Sequence, residues 1–274
     1  MSELADVPLE QPPNHFEWIL GDKIRDGRLG PVSTALRSDT GELITAEMLV
    51  LDEPGTSSVT SDRVLLRLES KRIYPSQPNV VSYLGHQVSA GHIFIFSEYL
   101  PGGTLREFIR QYGAIPQPLA RSIVRQLVFG LEQLRLQGFV AIFLDSNNVY
   151  INNTGVVKIE APLLDITFTG QALPPSFLTI PEVICGQQNL RKADVWLLGI
   201  IFIQLLTGDY NLEDASFGTL ASQRAQAQGS ACETLLPQGV ASKLDEHSLK
   251  FLRQCLTFDA NTRPSLSDLR RDLF

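Results

Sequence analysis

The oxygen-bearing side chains of Asp145, Asn148 and Glu160, and the glycine pair Gly27 and Gly30, are the residues whose types and spacing could handle phosphate. Glycines three apart let backbone amides close around an anion. Asn148 without a partner acid is a poor magnesium site, since Mg²⁺ usually requires carboxylates and phosphates, and Asp145 is the nearby acid that could act as a base. The chemistry these residues bear on is phosphoryl transfer, which needs a cradle for the phosphates, a Lys on them, metal-holding groups and a base. Each piece alone has an ordinary explanation: a G-x-x-G is as often a simple turn, and Asp145 is expected as an acid on a surface loop.

The elements that must position these residues change character along the chain. From about Phe16 to Leu100 the segments "FEWILGDKI", "GPVSTALRSD", "ELITAEMLVL", "NVVSYLGHQV" and "HIFIFSEYL" read as strands, interrupted by one helix near Thr60–Ile73. After "LPGGTL" the period becomes helical, and Leu119, Ile123, Leu127, Leu131 and Leu134 are expected on one face of a long helix ended by Gly138. Two short strands, "VYIN" and "VVKI", follow around Asn153, Thr154 and Gly155. Val195–Leu206 reads as a buried helix, Ser222–Ser230 as a polar stretch, and "EHSLKFLRQCL" and "SLSDLRRDLF" as closing helices. An antiparallel β lobe with one helix, followed by a mainly α lobe, is an α+β plan.

Composition narrows the function classes. A chain of 274 residues with 43% apolar content can bury a core of its own. Its net charge of −7, with scattered cations, argues against nucleic acid or an anionic membrane as partner. Cys185, Cys232 and Cys255 form no metal or disulfide pattern, and the N-terminal residues lack a secretory signature, so a cytoplasmic setting is expected. The longest apolar run, Val195–Leu206, is too short to span a bilayer.

Several segments in order resemble landmarks of a eukaryotic protein kinase domain, across about Phe16 to Phe274. "IRDGRLGPV" is similar to the glycine-rich loop, "QPNVVSYLG" to the strand after helix C, and "SEYLPGGTL" to the hinge and helix D. "IPEVI" resembles the end of the activation segment, "KADVWLLGIIFIQLLTG" helix F, and "CLTFDANTRPSLSDL" the closing helices. "EYLPGGTL", "YGAIPQPLARSIVRQLVFGL" and "TGEL" most resemble the MAP kinase kinase kinase branch. A second similarity is to the degenerate kinase module of the amino-acid-starvation kinase that phosphorylates a translation initiation factor. The resemblance implies a two-lobed fold: an extension over 1–15, an N-lobe over 16–100 and a C-lobe over 101–274.

The same resemblance, carried over position by position, implies lost chemistry. The first glycine of the loop is Arg25. Thr45 falls on the adenine roof and Glu47 at the phosphate-binding Lys, where an anion would repel the ligand. Ungapped counting puts Leu68 at the helix C glutamate, with Glu69 beside it as a solvated residue. Ala141, Ile142 and Phe143 take the His-Arg-Asp positions, and Phe143 cannot accept a proton. Asp145 stands at the position of the catalytic-loop Lys, and Asn148 keeps the metal-binding Asn with hydrogen bonding within the loop as its expected role. Ala161, Pro162 and Leu163 replace the metal-binding Asp-Phe-Gly, and Tyr150 replaces the Leu under adenine. Glu182, Arg263, Asp194 and Trp196, which the family uses for scaffold, are retained.

The implied function is a pseudokinase, a binding and regulatory module in signalling with no catalytic residues, no metal and no cofactor. Gly27, Gly30, Val32, Glu98, Leu100 and Asn148 remain as a vestigial nucleotide site, with weak ATP binding as an alternative. The expected partner is a protein, a kinase or a neighbouring domain of its own polypeptide, and neither nucleic acid nor membrane. The alternatives are a residual serine/threonine kinase using Asp145 or Glu160, and an ATP sensor without catalysis.

Overall fold

Alternating apolar and polar residues build the first structured part of the chain. β1 (Trp18–Asp26), β2 (Pro31–Arg37), β3 (Leu43–Val50), β4 (Tyr83–Ser89) and β5 (His92–Glu98) form one antiparallel sheet in the order β1-β2-β3-β5-β4. The computed structural model describes residues 16–27, 29–50, 65–66, 68–69, 76–139, 144–161, 179–186, 190–209, 236 and 239–272. The expectations for most of the helix near Thr60–Ile73, Ala141, Ile142, Phe143, Pro162, Leu163, Ser222–Ser230 and Cys232 fall outside those residues.

The chain divides into two compact units, Met1–Ile73 with Ser82–Tyr99, and Tyr74–Val81 with Leu100–Phe274. In the first, Ala35, Ile44, Ala46 and Phe96 make a small core that Phe16 and Trp18 cover. Trp18 packs against Phe94 and Phe96, with ring centroids at 4.9 and 5.0 Å, and its indole N–H donates to Gln87 Oε1 at 2.7 Å. Aromatic pairing of this kind adds to area burial and fixes the edge strand to the sheet. On the other face Val32, Glu47 and Ile95 are direct cross-strand neighbours, so an acid sits within an apolar row. Leu65, Leu66, Leu68 and Glu69 are helical, with Leu68 buried and Glu69 turned to solvent.

The second unit is mainly helical. α1 (Leu105–Tyr112) starts with a reciprocal cap: Thr104 Oγ1 accepts from the Glu107 N–H, and Glu107 Oε2 accepts from the Thr104 N–H. α2 (Gln117–Leu136) buries Ala120, Ile123, Val124, Leu127, Val128, Leu131 and Leu134. Leu119, expected on that face, is 44% exposed. The buried stripe is centred on Ala120 and Leu127, and Leu119 lies about a quarter turn round from it. β6 (Val149–Ile151) and β7 (Val157–Ile159) pair as a ribbon, whose turn is tied by Asn152 Oδ1 accepting from the Thr154 and Val156 N–H groups.

α3 (Pro181–Ile184) is short, and α4 (Ala193–Thr207) is buried from Ala193 to Leu205. A helix apolar all round belongs at a centre, and α2, α5 (Glu246–Cys255) and α6 (Leu266–Asp272) share its core cluster. Gly208 ends α4 in the left-handed region (φ 72°), its N–H donating to the Gln204 carbonyl.

The expected strand over "NVVSYLGHQV" is divided between the units. Only Tyr83–Ser89 joins the sheet, while Val80 bridges Ile159 in parallel and the Val81 N–H donates to the Ile159 carbonyl at 2.9 Å. Asn79 fixes the break, its amide donating to the Val157 carbonyl at 2.8 Å and to Gln126 Oε1 at 3.2 Å. Gly130 on α2 makes room for it: a Cβ there would lie 2.6 Å from the Asn79 carbonyl oxygen.

Candidate functional site

Each unit carries part of the residue set singled out in the sequence. In the first, the G-x-x-G turn closes by the Gly27 N–H donating to the Gly30 carbonyl at 2.8 Å. Gly30 lies so near β3 that a Cβ would collide with the Met48 carbonyl oxygen, so closeness to the sheet dictates glycine there. Glu47, from β3, is only 9% exposed, and its Oε1 accepts from the Leu29 N–H at 2.8 Å. Gly27, Gly30, Val32 and Glu47 are thus brought together.

Other residues of the first unit serve the sheet. The Thr45 hydroxyl donates to the Ser97 carbonyl at 3.1 Å across β3 and β5, and Glu98 Oε1 accepts from the Ser82 N–H at 2.6 Å. Glu98 is therefore engaged in joining the start of β4 to β5. Glu69 Oε1 lies 3.5 Å from His86 Nε2, and His86 Nδ1 is 2.6 Å from the Tyr83 hydroxyl.

In the second unit the loop before β6 turns its polar groups inward. Asn148 Oδ1 accepts from the Asp145 N–H at 2.9 Å, while Asp145 Oδ1 accepts from both the Asn147 N–H and the Asn147 side-chain amide at 2.7 Å. This folds Asp145 back into the loop, leaving it 6% exposed, against the expectation of a surface acid. Asp145 Oδ2 and the Ser146 hydroxyl are buried without a hydrogen-bond partner. The backbone of Asn148 continues the closure, its carbonyl accepting from the Glu160 N–H at 2.9 Å. The Tyr150 hydroxyl donates to Glu160 Oε2 at 3.0 Å, and Ala161 is buried in the apolar cluster. Leu100 forms a turn with Gly103, whose carbonyl accepts from the Ile151 N–H at 3.2 Å.

The second unit also carries buried charges. Glu182 and Arg263 are 1% exposed and meet side by side, Oε1 to Nη1 and Oε2 to Nη2 both at 2.7 Å. The remaining guanidinium hydrogens go to the carbonyls of Thr257, Lys192 and Phe258, and the cation lies 5.1 Å from the Trp196 ring centroid. Such fork-to-fork pairing with every donor used is the geometry in which a buried ion pair holds.

Asp194 faces Arg135, whose Nη2 is 2.6 Å from Oδ1, and also accepts from the Val195 N–H. Burial pushes its carboxyl up to about 6, against the Arg135 guanidinium, which acts to lower it. Arg135 was not singled out from the sequence; a basic residue in the last turn of a long helix is its only signal. Trp196 donates to the Thr179 hydroxyl at 3.3 Å. Of the loop that Asp194 and Trp196 are expected to anchor, residues 140–143 lie outside the described residues.

The profile of the protein kinase domain matches residues 18–274. The chain belongs to this family. The kinase domain is 31% identical over 273 residues to a mitogen-activated protein kinase kinase kinase of Pyricularia oryzae named MST11, covering 92% of this chain and 29% of that protein. It is 28% identical over 275 residues to the MAP kinase kinase kinase mkh1 of Schizosaccharomyces pombe, covering 93% of this chain and 24% of that protein. It is 27% identical over 282 residues to the human mitogen-activated protein kinase kinase kinase 3, covering 96% and 43%. The kinase domain therefore spans between about a quarter and two-fifths of the length of these relatives.

Among the described residues, Asn148, Glu160 and Ala161 do not make up a magnesium shell. Magnesium takes a near-octahedral shell of oxygens that includes carboxylates. Here Ala161 offers none, Asn148 Oδ1 is directed at the Asp145 amide, and Glu160 accepts from Tyr150. Among the described residues no three His, Cys, Asp or Glu side chains converge to hold a metal, and no helix is long and apolar enough to cross a membrane.

Proposed function

We propose that this kinase domain is a pseudokinase, a binding and regulatory module that transfers no phosphate. Its partner on this reading is a protein, either a kinase of a signalling cascade or a neighbouring domain of its own polypeptide. The names of the relatives favour a MAP kinase cascade. The observation that carries the reading is the closure of the Asp145–Ala161 loop on itself. Asn148 Oδ1, Asp145 Oδ1 and Glu160 Oε2 accept from the loop and its ribbon, and the position that would bind metal holds a buried methyl group. Charge stabilisation by preorganised groups supplies most of phosphoryl transfer, so a loop whose oxygens are committed to its own fold has little to offer a transition state.

The test is a thermal-shift series with ATP, with and without Mg²⁺, beside a phosphotransfer assay. A ligand at a hundred times its dissociation constant would stabilise the fold by about 2.7 kcal/mol. No shift at millimolar nucleotide and no transfer above a heat-treated control are the expected results. One feature favours a second reading, a residual kinase: the Asp145 Oδ2 atom is buried with no hydrogen-bond partner and has lone pairs to spare for a hydroxyl proton. Phosphate transfer that Asp145→Asn abolishes would replace the first reading with the second.

A further inference from the structure

The glycine turn of the first unit already holds an anion, and the anion is its own. The Leu29 N–H, an amide at the tip of the G-x-x-G turn, donates to Glu47 Oε1 at 2.8 Å. That oxygen lies so close to Gly27 that a Cβ there would collide with it, while the Gly27 N–H is committed to the Gly30 carbonyl. Glu47 is held from behind by β3, between its cross-strand neighbours Val32 and Ile95. A carboxylate oxygen and a phosphate oxygen make the same demand on a backbone amide, because both are accepting oxyanions of similar size.

We propose that Glu47 is a built-in stopper of this turn: it takes the Leu29 amide as a phosphate group would, and its removal uncovers a site for phosphate groups. The proposal rests on the pseudokinase reading and deepens it, for the Leu29 amide of the turn has an oxyanion partner that comes from the same chain. An incoming phosphate is excluded because the amide is already engaged by the Glu47 oxygen. Loss of the Lys at this position is thus more than a missing contact.

The test uses the whole chain as parent, Glu47→Gln and Glu47→Ala. Hydrogen exchange is read at the Leu29 amide, and binding is measured for inorganic tripolyphosphate, ATP and adenosine without Mg²⁺. Glu47→Ala is expected to speed Leu29 exchange and to raise affinity for tripolyphosphate about tenfold or more, with adenosine unchanged. Glu47→Gln keeps the acceptor and loses the charge, so its gain should be intermediate and its fold the nearer to parent. A gain for ATP as well as tripolyphosphate assigns the uncovered site to nucleotides, and a gain for tripolyphosphate alone assigns it to free polyphosphate. Leu29 exchange unchanged in a folded Glu47→Ala, or a parent that binds tripolyphosphate as tightly as both variants, overturns the stopper. Phosphate transfer by the parent overturns the pseudokinase reading instead, and the exchange measurement still judges the stopper separately.

Discussion

The Glu182–Arg263 pair and the Asp145–Asn148 loop are both built from buried polar side chains of the second unit, yet they do opposite kinds of work. The ion pair joins residues 81 apart in the chain, and its guanidinium gathers the carbonyls of three further residues. The loop bonds are local, Asn148 reaching back three residues and Asp145 forward two. A long-range pair resists the large loop entropy of unfolding, while a local bond only selects one conformation of a short turn. In this kinase domain the ion pair knits distant segments, whereas Asp145, Asn147 and Asn148 bond to one another within one loop.

That contrast breaks most visibly at Arg263. Arg263→Ala leaves the Glu182 carboxylate buried without its cation, and is expected to cost about 3–5 kcal/mol, read as a large fall in the urea midpoint. Stability like that of the parent would show that the pair does not organise the unit. Partner capture from extract should fall in this variant only in proportion to its unfolded fraction.

Asp194 gives the next largest effect, through pH. Its folded carboxyl is pushed up to about 6, above the ordinary value of 3.8, chiefly by burial. A raised folded value means that the stability it contributes is fully present below the unfolded value and is lost as pH rises through 6. The loss is on the order of 3 kcal/mol across that window. Asp194→Asn should flatten the profile between pH 4 and pH 7; an unchanged slope would place its origin in other groups.

Asn148→Ala sharpens the comparison from the side of the loop. It removes one acceptor, leaves the Asp145 N–H unsatisfied, and should cost about 1–2 kcal/mol while leaving partner capture nearly intact. A folded Asn148→Ala that loses its partner would make this loop the working surface. The smallest effect is expected for Tyr150→Phe, about 0.5–1.5 kcal/mol from the lost bond to Glu160, checked by the same denaturation curve.

How far these features were legible follows from the range of the forces behind them. The strands, α2 and the apolar α4 were readable because alternation and helical period are local patterns. The place of Asn79–Val81 was not, since "NVVSYLGHQV" alternates as one strand and only the approach of Gly130 and β7 divides it. Leu119 was misplaced by the same kind of limit, because a spacing of four fits either side of a stripe and packing decides the centre. At the site, residue types at family positions drew attention to Glu47, Ala161 and Asn148. The bonds from Glu47 to Leu29, from Asn148 to Asp145 and from Tyr150 to Glu160 depend on side-chain direction, which one sequence does not contain.

The passage of Asn79–Val81 into the second unit also bears on the order in which the chain can assemble. This short strap is synthesised before β4 and β5, but its hydrogen-bonding partners on α2 and β7 emerge only afterward. During translation it must therefore wait, unpaired, while the sheet on either side of it in sequence is completed. A fragment beginning at Leu100 would lack the strap altogether, leaving the Ile159 N–H and carbonyl without it and the small surface of Gly130 uncovered. Such a fragment should be prone to association unless a peptide carrying residues 76–81 is supplied in trans.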